Sequence, residues 1–379
     1  MDPTERGRLG ASQVTVTRLG LGTVPLGGLY EQVDEADGLA LVRRTYELGI
    51  RLFDTAPQYG AGLAERRLGM VLPDFPRDSL IVATKVGRLL RPVSLATKAR
   101  QVLQEAAANR DLGRIRLGLR HLGERLRSHP PRSASAGDAR GAEEPTTTQL
   151  EPVFDFSYDG VMRSLEESLA RLRLDRVDVV YLHDPDYYHD QALAAFKALE
   201  RLRSAGTIGA VGVGMNQSAM LARFAREAAF DCFLVAGRYT LLDQTALDDL
   251  LPICQERGMS IVIGGVYNSG ILADARPGTH FDYHTAPPAV LERAQRIQAV
   301  CARHDVPLMA AAIQFPFGHP SVATVLTGSR SLTEIEQNVA MFRHPIPDAM
   351  WDEMRRERLI ADHVPTPGAA TRAPAGTPG

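Results

Sequence analysis

A chain of 379 residues, 44% hydrophobic and 23% charged, carries enough apolar material for a substantial core, which excludes collagen-like and wholly disordered chains. With 43 basic against 45 acidic residues the formal net charge is -2, so no broad attraction to a phosphate backbone is built in and nucleic acid is not an expected partner. No apolar run approaches the ~18 residues of a membrane span, and the opening MDPTERGRLG has no apolar signal core, so the expectation is a cytoplasmic protein with no membrane partner.

In chain order, QVTVTRLGLGT reads as a short hairpin leading into a strand over Arg18–Leu21. From Asp34 to Gly49 the pattern is helical: Asp34 caps, Leu39, Val42 and Tyr46 share a face, and Gly49 closes the C-terminus. A strand over Ile50–Phe53 follows, then AERRLGMVL as helix, LIVATK as strand, DGVMRSLEESLARLRL as helix and VDVVYLH as strand. The alternation continues through strands at Gly209–Val213, Cys232–Ala236, Ser260–Ile263 and Val322–Leu326. Helices are expected near Gln191–Ser204, Ser218–Glu227, Gln244–Arg257, Pro288–His304, Leu308–Phe315, Leu332–Met341 and Pro347–Leu359.

The strands are short apolar runs without polar alternation, as a parallel sheet covered on both faces requires. A count near eight, each strand followed by a helix, predicts an α/β chain of the (β/α)8 barrel class, with a short N-terminal hairpin and a long insertion after barrel strand three. The alternative is an open doubly wound sheet, which should carry G-x-G-x-x-G after its first strand; here Gly20-Leu21-Gly22 runs into Thr23, Val24 and Pro25. The expected division is one barrel domain over 1–362. Its insertion, about 88–151, starts Leu/Arg-rich with helical character and is disordered in its second part. A disordered Pro/Gly/Ala tail follows over 363–379.

Cys232, Cys254 and Cys301 are odd in number and never in a C-x-x-C pair, which argues for small apolar packing rather than disulfides or structural zinc. The only lysines are Lys85, Lys98 and Lys197, among forty arginines. A lysine kept where arginine has replaced nearly every other one points to chemistry arginine cannot do.

In a (β/α)8 barrel, functional groups gather at the C-terminal strand ends. Strand two ends in Asp54 with Tyr59 in the loop beyond, strand three in Lys85, strand four in His183, and strand five leads to Met215 and Asn216. Each alone has a plainer explanation: a cap, a loop aromatic, an outward lysine, a core histidine. Together they form an acid/base device in which Lys85 lowers the phenol pKa of Tyr59 from about 10, Asp54 holds Lys85 and His183 orients a substrate oxygen.

LGLGT (Leu19–Thr23), GIRLFDTAPQYG (Gly49–Gly60), ATK (Ala83–Lys85), DVVYLHDPD (Asp178–Asp186), GVGMNQ (Gly212–Gln217) and TGSRSLTEIEQN (Thr327–Asn338), in this order, resemble the signatures of the aldo-keto reductase family. The resemblance implies a barrel without a Rossmann domain that binds NAD(P)(H) across its mouth. It makes Tyr59 the general acid/base, Lys85 and Asp54 its tuning pair and His183 the orienting residue, with no metal required.

For the cofactor, the resemblance implies Gly22 and Thr23 near the nicotinamide ribose, Asp54 beside them, and Asn216 at the carboxamide. Gly328, Ser329, Arg330, Glu334 and Asn338 fall on its adenosine segment. Met215 stands where the family usually has serine, Ala236 where it has glutamine, and Gly264 where it has a stacking aromatic. Glu334 repels a 2′-phosphate and accepts from a 2′-hydroxyl, while Arg330 pulls the other way; NAD is the expected cofactor, with NADP the alternative. As a plainer alternative, Arg330 and Glu334 merely pair on a solvated helix end.

VAGRYTLLDQ and IVIGGVYNSGIL resemble the bacterial branch of D-threo-aldose 1-dehydrogenase (L-fucose dehydrogenase), with pyridoxal 4-dehydrogenase as a relative. That implies oxidation of an aldose such as L-fucose or D-arabinose at its anomeric carbon to the lactone, a small-molecule substrate handled by Tyr59 as base. The alternatives are a pyridoxal or general aldehyde/ketone oxidoreductase, and a non-catalytic cofactor-sensing subunit. Tyr30, Arg238, Tyr267 and Asn268 are the substrate-pocket candidates, as polar and aromatic groups facing the mouth. The sequence leaves the oligomeric state open.

Overall fold

The computed structural model of the chain describes residues 1–29, 31–93 and 150–368. Eight parallel strands close into a barrel: β3 (Leu19–Gly22), β4 (Leu52–Asp54), β5 (Ile81–Val86), β8 (Val179–His183), β9 (Ala210–Met215), β10 (Cys232–Ala236), β11 (Ser260–Gly264) and β14 (Val322–Gly328). The ring is sealed where β14 pairs with β3, Val325 opposite Leu19 and Gly328 opposite Gly22. Helices follow the strands around the outside, so most strand residues are buried on both faces, the reason their sequences show apolar runs instead of alternation.

Two apolar layers result. One lies between strands and helices and takes in Phe53, Leu165, Phe224 and Trp351. The other fills the barrel interior with Leu52, Tyr181, Cys232, Val262 and Ala323, together with Leu9, Val14 and Val16. Those last three belong to an antiparallel hairpin, β1 (Arg6–Arg8) with β2 (Thr15–Thr17), that stops the N-terminal end of the barrel. Its first arm is the charged Arg6–Arg8, which lies outside the QVTVT run where the hairpin was expected. With the bottom plugged, the C-terminal strand ends are the face left for chemistry.

The first barrel strand begins at Leu19 rather than Arg18 and runs to Gly22, and the second is shifted from Ile50–Phe53 to Leu52–Asp54, which places Asp54 inside the ladder. The helix expected over Gln244–Arg257 is a 3-10 turn at Thr245–Leu247 and a helix at Leu250–Glu256. The helix Glu35–Glu47 is capped by Asp34, whose carboxylate accepts from Ala36 N at 2.8 Å, and Gly49 takes φ +91 just past its end.

The insertion opens as a strand, not a helix: β6 (Arg88–Pro92) pairs with β7 (Leu150–Phe154) in a two-stranded sheet. Residues 1–89 with 154–379 form one compact unit and residues 90–153 a second, of which only 90–93 and 150–153 are described. The helical and disordered stretches expected within the insertion lie outside the described residues, as do Tyr30 and residues 369–379. Ahead of them the chain beyond 362 is still packed. Val364 and Thr366 are buried, and Arg355 donates to Val364 O (3.3 Å) and Thr366 Oγ1 (2.7 Å), correcting the expected start of the tail. A last small hairpin, β12 (His280–Phe281) with β13 (His284–Thr285), follows β11. Among the described residues no helix is long and apolar enough to cross a membrane. All three cysteines are buried and free.

Candidate active site

Asp54 is the last residue of β4, Lys85 lies one residue from the end of β5, and His183 is the last residue of β8. The parallel register sets them side by side, with Asp54 opposite Ala83 and Lys85 opposite Tyr181. Their side chains point into the mouth and are 3%, 2% and 5% exposed. Lys85 Nζ donates to Asp54 Oδ1 at 2.6 Å and to Thr55 O at 2.9 Å.

Tyr59 arrives from the loop after β4. Its place is fixed by a backbone crossing: a Cβ on Gly27 would lie 2.5 Å from the Tyr59 carbonyl carbon, and one on Gly60 would run into Gly27 O. Only glycines allow the loops after β3 and β4 to pass this closely. The Tyr59 ring sits with Lys85 Nζ 4.8 Å from its centroid and the His183 ring edge-on, centroids 6.1 Å apart at 88°. Tyrosine, lysine, aspartate and histidine are therefore one cluster, as their strand-end positions predict.

The electrostatics correct one expectation. Burial of its hydroxyl end pushes the Tyr59 phenol up to about 12; Lys85 opposes this without outweighing it, so the phenol is raised rather than lowered, although part of the ring remains open to solvent. Burial works against the Lys85 ammonium, but Asp54 and Tyr59 outweigh it and hold Lys85 above its ordinary value. Burial, then the cations of Lys85 and Arg88, hold His183 well below the usual histidine range, so its ring is neutral. A neutral imidazole donates from one nitrogen and accepts at the other. Asp54 Oδ2 and His183 Nδ1 are buried with no partner.

Supports that the sequence reading missed surround the cluster. Glu65 is fully buried, accepts from Thr84 Oγ1 (2.8 Å) beside Lys85 and from Arg171 Nε (2.6 Å), and so pins the helix Leu63–Gly69 to β5. Arg67, 5% exposed, donates to Leu26 O and Val33 O and fixes the loop after β3. A glutamate and arginine inside an otherwise amphipathic helix pattern read as solvated; only the facing backbone carbonyls and Thr84 reveal otherwise.

Of the cofactor candidates, Gly22 ends β3, and Thr23 donates through both N and Oγ1 to Asp54 O at 2.9 Å, joining the first two strand ends. Asn216 is exposed just beyond β9. Gly328 ends β14, and Ser329 and Asn338 are buried and bonded to each other at 3.1 Å, with Asn338 Oδ1 accepting from Tyr267 OH at 2.7 Å. Arg330 does pair with Glu334, at 2.7 Å through Nη2 and 3.1 Å through Nε, and its backbone N–H donates to the same carboxylate; Nη1 meets Glu31 at 2.7 Å. A nicotinamide dinucleotide fits this row, because Thr327 Oγ1 at the end of β14 and Asp54 Oδ2 are buried polar atoms still lacking partners.

The substrate candidates divide. Arg238 is spoken for, donating to Asp243 (3.0 Å), Asp282 (2.8 Å) and Asn216 O (3.1 Å), and acts as a tie between the loops after β9, β10 and β11. Tyr267 faces Asn338, on the adenosine segment. Asn268 is buried at φ +44 with Nδ2 on Gly237 O at 3.3 Å and Oδ1 unpartnered. Tyr30 lies outside the described residues.

The model of the aldo/keto reductase family matches residues 18–357. Among curated proteins the chain is 40% identical to the pyridoxal 4-dehydrogenase of Microbacterium luteolum, over 94% of this chain and 98% of that one. It is 37% identical to the D-threo-aldose 1-dehydrogenase of a Pseudomonas species, over 94% and 97%. Among solved structures, an aldo-keto reductase from Bacillus halodurans in its holo form superposes with a TM-score of 0.66 over 95% of this chain and 97% of that one, at 22% identity, a likeness of fold.

Proposed function

The chain belongs to the aldo/keto reductase family and is an oxidoreductase, and on that premise we propose that it oxidises a cyclic hemiacetal, an aldose at its anomeric carbon, to the lactone with NAD as hydride acceptor. The observation that carries the reading is the placement of the Tyr59 ring 4.8 Å from Lys85 Nζ and edge-on to His183 at the barrel mouth. A bound nicotinamide would supply the acceptor for the hydride that leaves the carbon bearing the hydroxyl. Tyr59 as phenolate removes the hydroxyl proton, so the C–H and O–H bonds break as the carbonyl forms. Lys85, held protonated by Asp54, stabilises that phenolate. Neutral His183 hydrogen-bonds the substrate oxygen and fixes it toward Tyr59.

Asn216, Thr23, Gly22, Asp54, Thr327, Gly328, Ser329 and Asn338 would hold the dinucleotide from its carboxamide to its adenosine end. NAD is preferred because Arg330 is already occupied by Glu334 and Glu31, and a 2′-phosphate must displace two carboxylates to reach it. Similarity to a pyridoxal 4-dehydrogenase supports a second substrate, pyridoxal, whose aldehyde closes on its neighbouring hydroxymethyl group to the same kind of hemiacetal. Assaying L-fucose, D-arabinose and pyridoxal with NAD and NADP tests both. Sugar-dependent NADH formation is expected; turnover of pyridoxal alone transfers the reading to the second substrate, and no turnover of any hemiacetal rejects it.

A further inference from the structure

Beyond the four clustered residues, one cation touches the loops that carry two of them. Arg88 stands three residues after Lys85, where the chain leaves the barrel. The turn is made at Gly87, φ +95, where any Cβ would overlap the Phe156 ring. The guanidinium then reaches back over the mouth. Nη2 donates to Asp184 Oδ2 at 2.6 Å, Nη1 donates to Gln58 Oε1, and the group lies over the Phe154 ring at 4.5 Å. Gln58 precedes Tyr59, and Asp184 follows His183.

Asp184 is the telling partner. It holds φ +44, a left-handed conformation that few residues other than glycine, asparagine and aspartate adopt, while its N–H donates to Gly214 O at 2.9 Å. In that pose Oδ2 is 2.6 Å from Arg88 but 3.6 Å from His183 Nε2, too far for a hydrogen bond. The other charged or titratable groups around the imidazole are Lys85 from β5 and Tyr59 from the loop after β4, with Asp54 behind Lys85 and Asp186 near Asp184. Asp184 is thus the nearest carboxylate to the ring, and Arg88 is what it is bonded to.

We propose that Arg88 is a positioning residue that keeps the Asp184 carboxylate off His183, leaving Nε2 free for the substrate oxygen, and that it ties the Tyr59 and His183 loops together through Gln58 and Asp184. Remove the guanidinium and Asp184 turns onto His183, which then becomes an imidazolium–carboxylate pair and no longer a neutral ring facing the mouth. The proposal rests on the role given to His183 above, but its first test needs no turnover.

Histidine ring NMR of the full chain, with the His183 signal assigned by its loss in His183→Asn, follows protonation directly. In the native protein the His183 ring is expected to stay neutral well below the pH at which an ordinary histidine takes up its proton. In Arg88→Met it is expected to protonate at clearly higher pH than in the native protein, and in Arg88→Met/Asp184→Asn to return to the native behaviour. Alongside, kcat of Arg88→Met is expected to fall on the order of ten- to a hundredfold with a smaller change in KM, and Arg88→Lys to recover part of it. Arg88→Gln carries the same readout if Arg88→Met does not fold. A His183 that stays as neutral in Arg88→Met, or in the Arg88→Gln that replaces it, as in the native protein overturns the proposal, as does one that titrates equally in the double variant. Failure of the hydride-transfer reading leaves the titration untouched and appears only as lack of turnover.

Discussion

Lys85 Nζ and Asp54 Oδ1 are 2.6 Å apart in a site where neither side chain is more than 5% exposed. A buried pair of this kind is costly to break from one side, because the remaining charge is left without water or partner. Lys85→Met is therefore expected to destabilise the fold by about 3–5 kcal/mol, and Lys85→Met/Asp54→Asn to be clearly more stable than Lys85→Met. Denaturant unfolding of the two variants checks this. Equal stabilities contradict the pairing as the source of the loss.

The raised Tyr59 phenol sets a pH dependence with a definite sign. With its pKa up at about 12, the base form needed for oxidation is scarce near neutrality and grows with pH. Oxidative kcat/KM is expected to climb by about tenfold per pH unit between about pH 7 and 9, while reduction, which uses the protonated phenol, stays flat over that range. Steady-state rates in both directions decide it, and a plateau in oxidation below about pH 8 contradicts the phenol's position.

Arg330 is held by Glu334 through its backbone N–H and two guanidinium nitrogens. Glu334→Gln removes the charge that a 2′-phosphate must displace and leaves an amide of similar shape. Affinity for NADPH relative to NADH is expected to rise by about tenfold, read from the fluorescence of the two cofactors on titration. An unchanged ratio removes Glu334 from cofactor choice.

The space at Gly87 is closed by Phe156, and its φ is +95. Gly87→Ala is expected to cost more than about 1–2 kcal/mol, the left-handed penalty plus displacement of the ring, seen as a lower Tm. An unaltered Tm shows that the turn can be remade without glycine.

Much of this architecture is legible in the sequence because the strands are buried on both faces. Apart from Thr84 and the phenol of Tyr181, VVYLH and IVATK are apolar up to Lys85 and His183, and LFD up to Asp54, so these three stand out as strand ends. Tyr59 was found through the family resemblance and its loop position rather than through any period. Arg88 was hidden because it falls at the start of a stretch that reads as an insertion, and its partners Gln58 and Asp184 are 30 and 96 residues away. Arg238 stood among the substrate candidates because the sequence does not show that Asp243 and Asp282, five and 44 residues downstream, turn back onto its guanidinium. The direction of the Tyr59 shift was misread because a sequence displays the neighbouring lysine but not the water excluded around the hydroxyl. The arm Arg6–Arg8 was missed because its pairing depends on Thr15–Thr17 and the barrel bottom, against a composition with little strand preference.

In the proposed reaction Tyr59 exchanges the proton while other residues hold the cofactor. Tyr59→Phe keeps the ring and its packing beside Lys85 and His183 and removes only the hydroxyl. Single-turnover hydride transfer with a hemiacetal substrate, measured together with the Kd for NADH, is the direct test. The transfer rate is expected to fall on the order of a hundredfold or more, with Kd within about twofold of the native value. Transfer at the native rate in Tyr59→Phe would contradict this role of Tyr59.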